Sequence, residues 1–185
     1  MHAGGLCYSF SMLSAMIAVV VSAYMYTQDE RFTVLQPSTV WAAVVSLLSG
    51  YSEDKEFGAG APFSAEHQAE LSKQLGSIPN AFSVLAYRGT TPCGVATCFG
   101  GFSTWACKPL VNVHDIFVAA TDRKKGVCTM MLQKVDEVAK ARGCCKLTLE
   151  VLPTNEFAKG AYGKHGFGPY EINGETLLVY KKMLL

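Results

Sequence analysis

The chain has 185 residues, which corresponds to one domain long enough to bury a hydrophobic core without disulfide bonds. Its 16 Lys and Arg residues nearly balance its 15 Asp and Glu residues, so the net charge of +1 excludes a general electrostatic attraction to nucleic acid. The 7 cysteines are an odd number with neither C-x-x-C pairs nor a zinc-type His pattern, which predicts reduced thiols, a cytoplasmic domain and no metal.

The N-terminal segment contains no Asp, Glu, Lys or Arg up to residue 28, and residues 6–26 are almost continuously apolar or small. This run could just span a bilayer, although serines dilute it and no basic residue flanks it. Three interpretations stay open: a membrane anchor, an amphipathic extension packed on the domain, and a start codon assigned too early, with Met25 as a later start. We predict residues 1–28 to be an extension and residues 29–185 to form the domain. The extension would associate with a membrane through residues 6–26 under the first of these interpretations.

The first half of this predicted domain contains alternating strand and helix signals. Residues 32–36 predict a first strand, and residues 40–48 follow with the apolar period of a helix. A charged and then glycine-rich loop over residues 52–62 precedes a second helix, for which Ser64 is a typical N-cap, and which ends near residue 75. This order of elements predicts an α/β fold.

The second half of the domain contains the longest regular patterns. Residues 82–87 and 95–99 predict an antiparallel hairpin, and residues 110–119 predict a strand that is buried on both faces. Residues 127–142 carry an apolar stripe of helical period. Residues 146–152 then predict a strand parallel to the previous one, because a helical crossover usually joins parallel neighbours.

The C-terminal segment contains one more helix and one more hairpin in the predicted order. Residues 155–165 predict the helix. Residues 170–172 and 176–181 predict two short strands, and the Asn173-Gly174 pair between them is typical of a tight hairpin turn.

The turn between the buried strand and the long helix is basic and contains a glycine. Free backbone N–H groups at a helix N-terminus bind anions, and Gly126 lets a ligand approach the backbone because it carries no side chain. These features predict a diphosphate site, although a solvated basic turn has the same composition. The turn consists of Arg123, Lys124, Lys125, Gly126, Val127 and Cys128.

This turn and the segments around it resemble the GNAT superfamily of N-acetyltransferases over residues 32–183. Arg123 and Gly126 match the superfamily's R/Q-x-x-G-x-G/A turn, whereas Cys128 replaces its final small residue and Lys124 stands where glycine is usual. A later pattern of the superfamily is matched as well. It consists of Leu149-Glu150-Val151, Asn155, Ala158, Tyr162 and Gly166-Phe167.

The resemblance implies a mixed, mostly antiparallel sheet, flanked by helices, in which the central parallel fourth and fifth strands splay apart. It implies acetyl-CoA as the co-substrate, with its pyrophosphate at the basic turn. The backbone of Phe117 and Val118 would then pair with the pantetheine amides, and the Val118 N–H would donate to the thioester oxygen. Asn155 would hydrogen-bond the pantetheine arm, and no metal is implied.

The implied reaction is direct transfer of acetyl to a primary amine of a small molecule or peptide in a ternary complex. A base must remove a proton, since a lysine-type amine has a reference pKa of about 10.4. Glu150 is the first candidate, because its spacing from Tyr162 resembles that in ribosomal-protein-alanine acetyltransferases. Asp115 and His114 are alternatives, since strand alternation turns one of them toward the acceptor. Tyr162 is the candidate acid for the departing thiolate.

Two further interpretations stay open. The acidic residues Glu53, Asp54 and Glu56 could attract a cationic acceptor, although a charged loop is more often solvated surface. The competing function is a non-catalytic acyl-CoA-binding regulatory module, which the altered turn residues Lys124 and Cys128 would favour.

Overall fold

The computed structural model of the chain describes residues 15–21, 24–26, 37–177 and 182–183. Its contacts divide the chain into two compact units, Met1–Leu149 and Glu150–Leu185. The predicted strand over residues 32–36 lies outside the described residues.

The first unit contains a six-stranded mixed sheet. Its strands are β1 (Ala15–Val21), β2 (Tyr24–Tyr26), β3 (Ala81–Arg88), β4 (Thr91–Ser103), β5 (Lys108–Val118) and β6 (Leu147–Leu149). The spatial order is β2-β1-β3-β4-β5-β6, and every neighbouring pair is antiparallel except β5 and β6. The sheet therefore confirms the predicted mostly antiparallel α/β fold with one parallel pair. That pair is fifth and sixth in the chain, because β1 and β2 precede it.

Strand β1 lies within the segment that the sequence pattern sets apart as an extension. It pairs along its whole length with β3, from Ala15 opposite Arg88 to Val21 opposite Phe82. β-branched residues such as Ile17 favour a strand here, and a strand inside a sheet has the same apolar composition as a short membrane span. The sheet thus begins before residue 29. None of the helices in the described part of the chain is long and apolar enough to cross a membrane.

Helices cover both faces of this sheet. Helix α1 (Pro37–Glu53) and helix α2 (Ala65–Ser77) lie on one face, and helix α3 (Val127–Ala141) lies on the other. α1 begins at a proline, which a first turn tolerates because its N–H would have no helical partner, and it extends beyond the predicted residues 40–48. α2 begins as predicted, with the Ser64 hydroxyl accepting the His67 N–H at 3.2 Å.

The central strands are packed against apolar side chains on both faces. Val44 of α1 packs with Leu85 and Val95 on one face, while Met131 of α3 packs with Phe82 on the other. All five side chains are fully buried, and each large one stabilises the fold by roughly 1.5–3 kcal/mol. β3 and β4 thus support β5, which carries the predicted site residues His114, Asp115, Phe117 and Val118.

The second unit contains helix α4 (Glu156–Lys164) and a hairpin of β7 (Glu171–Ile172) and β8 (Glu175–Thr176). Asn173 and Gly174 have φ values of 54° and 82°, as a two-residue turn with both residues left-handed requires, which confirms the predicted hairpin turn. Residues 178–181, where the second strand is predicted to continue, lie outside the described residues.

Candidate functional site

β5 contains a β-bulge beside β4. Asp115 pairs with Thr97 and Val113 pairs with Cys98, so His114 is the extra residue on β5. A bulge re-aims side chains, whereas regular alternation turns only one of two consecutive residues to a given face. His114 and Asp115 consequently both line the same cavity, although alternation predicts that only one of them faces the acceptor.

That cavity is bounded by α1, α2, the loop that joins them and the bulged part of the sheet. Its volume of about 530 Å³ is within the range of small-molecule sites. Much of its wall is aromatic or aliphatic. The large apolar side chains on that wall include Leu48, Phe57, Phe63, Leu71, Ile78 and Phe99.

The sheet contributes Thr97, His114 and Asp115 to the polar part of the wall, and α1 and α2 contribute Tyr51, Ser52, His67 and Gln74. Burial raises the pKa of the Asp115 carboxyl above its ordinary value, and the charge of neighbouring His114 partly opposes this effect. Burial, together with the charges of Asp115 and Asp54, raises the pKa of Tyr51. The His114 ring meets the Phe99 ring edge to face at 5.5 Å. Asp115 is therefore a carboxylate with few compensating partners, as a proton acceptor requires.

Thr97 is a site residue that the sequence interpretation missed. It is only 1% exposed, it lies directly opposite Asp115, and its hydroxyl has no hydrogen-bond partner among the described residues. A hydroxyl within the apolar run of residues 95–99 is the signal that could have identified it, because a buried polar side chain usually has a partner.

The opposite edge of β5 is paired over only part of its length. The parallel ladder with β6 ends where Val113 meets Leu149, while β5 continues to Val118. No described strand of this unit pairs with that edge beyond Val113. This geometry matches the splay that the resemblance implies.

Strand alternation identifies which backbone groups face this free edge. The Ala119 N–H donates to the Cys93 carbonyl at 2.9 Å, so Ala119 faces β4. Since successive residues direct their N–H and C=O groups to opposite sides, Phe117 faces β4 while Ile116 and Val118 face away from it. The backbone groups of Ile116 and Val118 are thus on the free edge, whereas those of Phe117 are directed to β4. The predicted pairing with pantetheine stays a prediction, and the sequence does not reveal the register that places Ile116 on this edge.

The turn after β5 is held by an ion pair whose carboxylate is buried. A short 3-10 helix, Ala120–Asp122, places the Asp122 carboxylate 3.0 Å from Nε of Arg88 on β3. Asp122 is 2% exposed, and the Thr121 hydroxyl donates to it at 2.8 Å. Lys125 Nζ is 3.8 Å from the same carboxylate, which partly balances its charge. These contacts fix the turn to the end of β3.

The backbone of the turn has the shape expected of an anion cradle. Gly126 has a φ of 81°, no side chain caps α3 there, and a Cβ added at Gly126 would meet nothing within 4 Å. Lys124 has a φ of 62°, a left-handed conformation that costs a non-glycine residue about 1–2 kcal/mol. This explains why glycine is usual at that position, and the turn keeps its shape with lysine.

The Arg123 side chain is directed toward the acidic loop. Its guanidinium Nη2 lies 2.6 Å from Asp54 Oδ2, its Nε donates to the Val118 carbonyl at 3.0 Å, and its charged end lies 5.7 Å from the centre of the Phe117 ring. Asp54 also accepts the N–H groups of Glu56 and Phe57. This carboxylate of the acidic loop is therefore occupied within the protein, and Arg123 links that loop to the end of β5.

Cys128 lies one residue into α3, where a helix N-terminus usually lowers a thiol pKa. Burial dominates instead and raises the pKa of the Cys128 thiol to about 11. Cys128 is thus protonated near neutral pH and replaces the usual small residue as an apolar side chain. Among the described residues, no group of His, Cys, Asp and Glu side chains could hold a metal ion.

The remaining predicted site residues belong to the second unit. Tyr162 is buried on α4, 7% exposed, with its ring 6.1 Å from that of Phe167. The Asn155 side-chain oxygen accepts the Ala158 N–H at 3.0 Å and so caps α4. Glu150 is exposed at the start of this unit. The roles predicted for these three residues stay predictions.

The segment that contains β5 and the glycine turn before α3 matches the model of a known family. Residues 41–167 match the Acetyltransferase (GNAT) family. The chain belongs to the GNAT acetyltransferase family. Family membership confirms the resemblance on which the predicted fold and acetyl-CoA rest.

This GNAT domain has curated relatives at moderate identity. It is 26% identical over 158 residues to an uncharacterized N-acetyltransferase, YobR, of Bacillus subtilis (strain 168), an alignment that covers 83% of this chain and 57% of the relative. It is 34% identical over 73 residues to a thialysine N-epsilon-acetyltransferase of Bos taurus, covering 38% of this chain and 42% of that protein. The chain thus spans only about half the length of these relatives.

A solved structure shares the fold. An aminoglycoside N-acetyltransferase in complex with CoA matches this GNAT domain with a TM-score of 0.65 at 15% identity, covering 92% of this chain and 96% of that one. At this identity the likeness establishes the mixed α/β fold with its flanking helices.

Proposed function

We propose that this GNAT domain transfers the acetyl group of acetyl-CoA to a primary amine bound in the cavity beside Asp115. One observation carries the proposal: the bulge of β5 brings His114 and Asp115 to the cavity wall, next to the free backbone edge of Ile116 and Val118. A proton acceptor and outward N–H donors are thus neighbours on one strand, as acyl transfer to an amine requires.

The residues of the first unit fit acetyl-CoA in three ways. Ile116 and Val118 offer backbone groups that an extended pantetheine amide can pair with, as an added strand would. The backbone N–H groups of Gly126, Val127 and Cys128, at the N-terminus of α3, suit the pyrophosphate. Exposed Lys124 adds positive charge to this turn, whereas Arg123 supports it from the side of the acidic loop.

Acetyl-CoA supplies the thioester, whose carbon–sulfur bond breaks as the amine nitrogen forms the amide bond. Ile116 is adjacent to Asp115 and is therefore the N–H donor nearest the cavity, which suits it to the thioester oxygen. Val118 lies nearer the turn and suits the pantetheine arm. This assignment moves the predicted oxyanion donor from Val118 to Ile116, since the amine must reach the thioester carbon.

Asp115 is the proposed proton acceptor for the amine. Burial raises its pKa, which brings a carboxylate closer to the value at which a base works best near neutral pH. His114 lies beside it on the same wall and is the second candidate. Glu150 remains the alternative that the spacing to Tyr162 favours. Single Asp115→Asn, His114→Gln and Glu150→Gln variants rank the three, and the variant with the largest fall in kcat identifies the base.

Tyr162 is the proposed acid that returns a proton to the departing thiolate, so that CoA leaves as the thiol. A phenol with a reference pKa of about 10 can protonate a thiolate whose conjugate acid is near about 8.5. Asn155, which caps the helix that carries Tyr162, is the proposed partner of the pantetheine arm. We expect Tyr162→Phe to lower kcat by about tenfold or more and to change acetyl-CoA affinity by less than about threefold.

The decisive experiment uses the purified full chain with acetyl-CoA and a panel of primary amines, and measures release of free thiol. Turnover above hydrolysis with at least one amine is the expected result. Binding of acetyl-CoA by calorimetry without turnover of any amine would contradict the proposal and favour the regulatory module. A Tyr162→Phe enzyme with unchanged kcat, when chemistry limits the rate, would remove Tyr162 from the acid role.

A further inference from the structure

The cavity beside Asp115 has one carboxylate and a largely apolar wall. Among the described residues that line it, Asp115 is the sole carboxylate, and no Lys or Arg lines it. Phe57 and Phe63 contribute aromatic rings from the loop between α1 and α2, and Leu71 and Ile78 contribute aliphatic side chains from α2 and the residue that caps it. Burying a cation without a partner is costly, so this wall accommodates one ammonium group rather than several.

Thr97 adds a second acceptor beside that carboxylate. Its hydroxyl is 1% exposed, lies on the cavity wall opposite Asp115, and has no hydrogen-bond partner among the described residues. A buried hydroxyl without a partner costs about 1–3 kcal/mol, and a ligand N–H at this point would remove that cost. Asp115 and Thr97 together therefore offer two acceptors to a single ammonium group.

We infer that the acceptor is a primary monoamine with an apolar, preferably aromatic, body, such as an arylalkylamine. Its ammonium group lies at Asp115 and Thr97, and its apolar part lies against the rings of Phe57 and Phe63. This inference rests on the proposed function and names its acceptor class. A polyamine or an aminoglycoside would bring further ammonium groups to a cavity whose described lining contains no second carboxylate. A free amino acid would bring a carboxylate to a cavity whose described lining contains no Lys or Arg.

A comparison of kcat/KM among amines tests this assignment directly. The full chain is assayed for free thiol with phenethylamine and hexylamine, and in parallel with spermidine, lysine and an aminoglycoside. We expect kcat/KM to be at least tenfold higher for the two monoamines. A higher kcat/KM for spermidine, lysine or the aminoglycoside would overturn the assignment and leave acetyl transfer intact.

Calorimetric binding of phenethylamine without acetyl-CoA separates the two proposals further. Binding of phenethylamine without turnover of any amine would contradict acetyl transfer but support the cavity assignment. Absence of both phenethylamine binding and phenethylamine turnover would overturn the cavity assignment.

Two variants connect the preference to this cavity. Phe57→Ala removes a ring from the wall and is expected to raise KM for phenethylamine about tenfold while changing KM for acetyl-CoA less than twofold. The matched control is Phe102→Ala, because Phe102 is 59% exposed and lies outside the cavity. Thr97→Val keeps the shape of the side chain and removes the hydroxyl, so we expect weaker phenethylamine binding in a protein at least as stable. An unchanged KM for phenethylamine in both Phe57→Ala and Thr97→Val would mean that the amine binds outside this cavity.

Discussion

The ionised form of Asp115 lowers the stability of the folded protein. Burial raises its pKa, and no described residue forms with it an ion pair of the kind that Asp122 makes with Arg88. Tyr51, on the opposite wall, has its pKa raised in part by the same negative charge. A bound ammonium group would balance the charge of the Asp115 carboxylate. The loss of folding stability that this buried charge causes in the free protein is therefore consistent with a role in binding and proton transfer.

The Asp115→Asn variant should therefore be more stable and less active. A raised folded-state pKa gives stability that is complete below the unfolded pKa, about 3.9, and is lost as pH rises through the folded value. Asn keeps the neutral form at all pH, so we expect Tm values that converge below about pH 3 and a Tm a few degrees above wild type at pH 7. Thermal unfolding between about pH 3 and pH 8 measures this.

The same variant should lose about 100-fold or more in kcat if Asp115 is the base. Glu70→Gln is the matched carboxylate-to-amide control, because Glu70 is 57% exposed on α2 and lies outside the cavity lining. A variant as stable as wild type at pH 7 would contradict the burial argument, whereas full activity would contradict only the role as base.

Sequence reasoning located the turn more fully than the cavity wall on β5. Gly126 matches a motif in which backbone conformation decides the residue type, and Lys124 departs from it at a position with left-handed φ, so the place of the turn can be recognised in the sequence. The bulge at His114 is a property of register between β4 and β5, which no local pattern records. For that reason the joint presence of His114 and Asp115 on the cavity wall could not be predicted.

At the scale of elements, the fit of α3 against the sheet controls the position of the turn. Gly94 on β4 lies under the first turns of α3, and an added Cβ would come within 3.0 Å of Val127 Cγ1 and 3.1 Å of the Met131 thioether. Val127 is the first residue of α3, directly after Gly126. A displacement of α3 would therefore move the backbone donors proposed for the pyrophosphate.

We expect Gly94→Ala to lower the free energy of unfolding by about 1–3 kcal/mol, as overpacking does, and to weaken acetyl-CoA binding several-fold. Chemical denaturation and calorimetry measure the two effects. Gly160→Ala is the control, since its Cβ would meet nothing within 4 Å in the middle of α4 and alanine favours helix. Equal stability of Gly94→Ala and wild type would mean that α3 does not pack on the sheet as described.

The elements that periodicity identified best are those whose contacts are local. α2 with its Ser64 cap and α3 begin and end close to the predicted residues, and the hairpin turns at Asn173 and Gly174 as predicted, because capping and turn chemistry act over a few residues. β1 was not predicted as a strand because its pairing with β3 is long-range, and its apolar residues alone do not distinguish a strand from a membrane span.

At the scale of the whole first unit, one ion pair connects the two halves of the proposed site. Asp54 belongs to the loop that forms the cavity wall, and Arg123 belongs to the turn before α3. Through its bond to the Val118 carbonyl, Arg123 also touches the free edge of β5. The pair thus joins the proposed amine wall to the proposed acetyl-CoA edge. Its loss should affect both substrates.

The Asp54→Asn variant tests this link through pH. The hydrogen bond from Arg123, more than the N–H groups of Glu56 and Phe57, holds the pKa of Asp54 below its ordinary value. A lowered folded-state pKa gives stability that is present above the unfolded pKa of about 3.9 and is lost as pH falls through the folded value. Wild type should therefore exceed Asp54→Asn in unfolding free energy at pH 7 and converge with it toward pH 2.

The difference at pH 7 should be at most about 1 kcal/mol, because Arg123 is partly exposed, and it should shrink in 1 M salt. KM for the amine and for acetyl-CoA should both rise, since loosening either end of the pair loosens the other. Glu137→Gln, which breaks an exposed pair with Lys134 on α3, should change neither KM. A rise in KM for the amine alone in Asp54→Asn would contradict the link. Arg123 would then stabilise the cavity wall and have no effect on acetyl-CoA binding at the β5 edge.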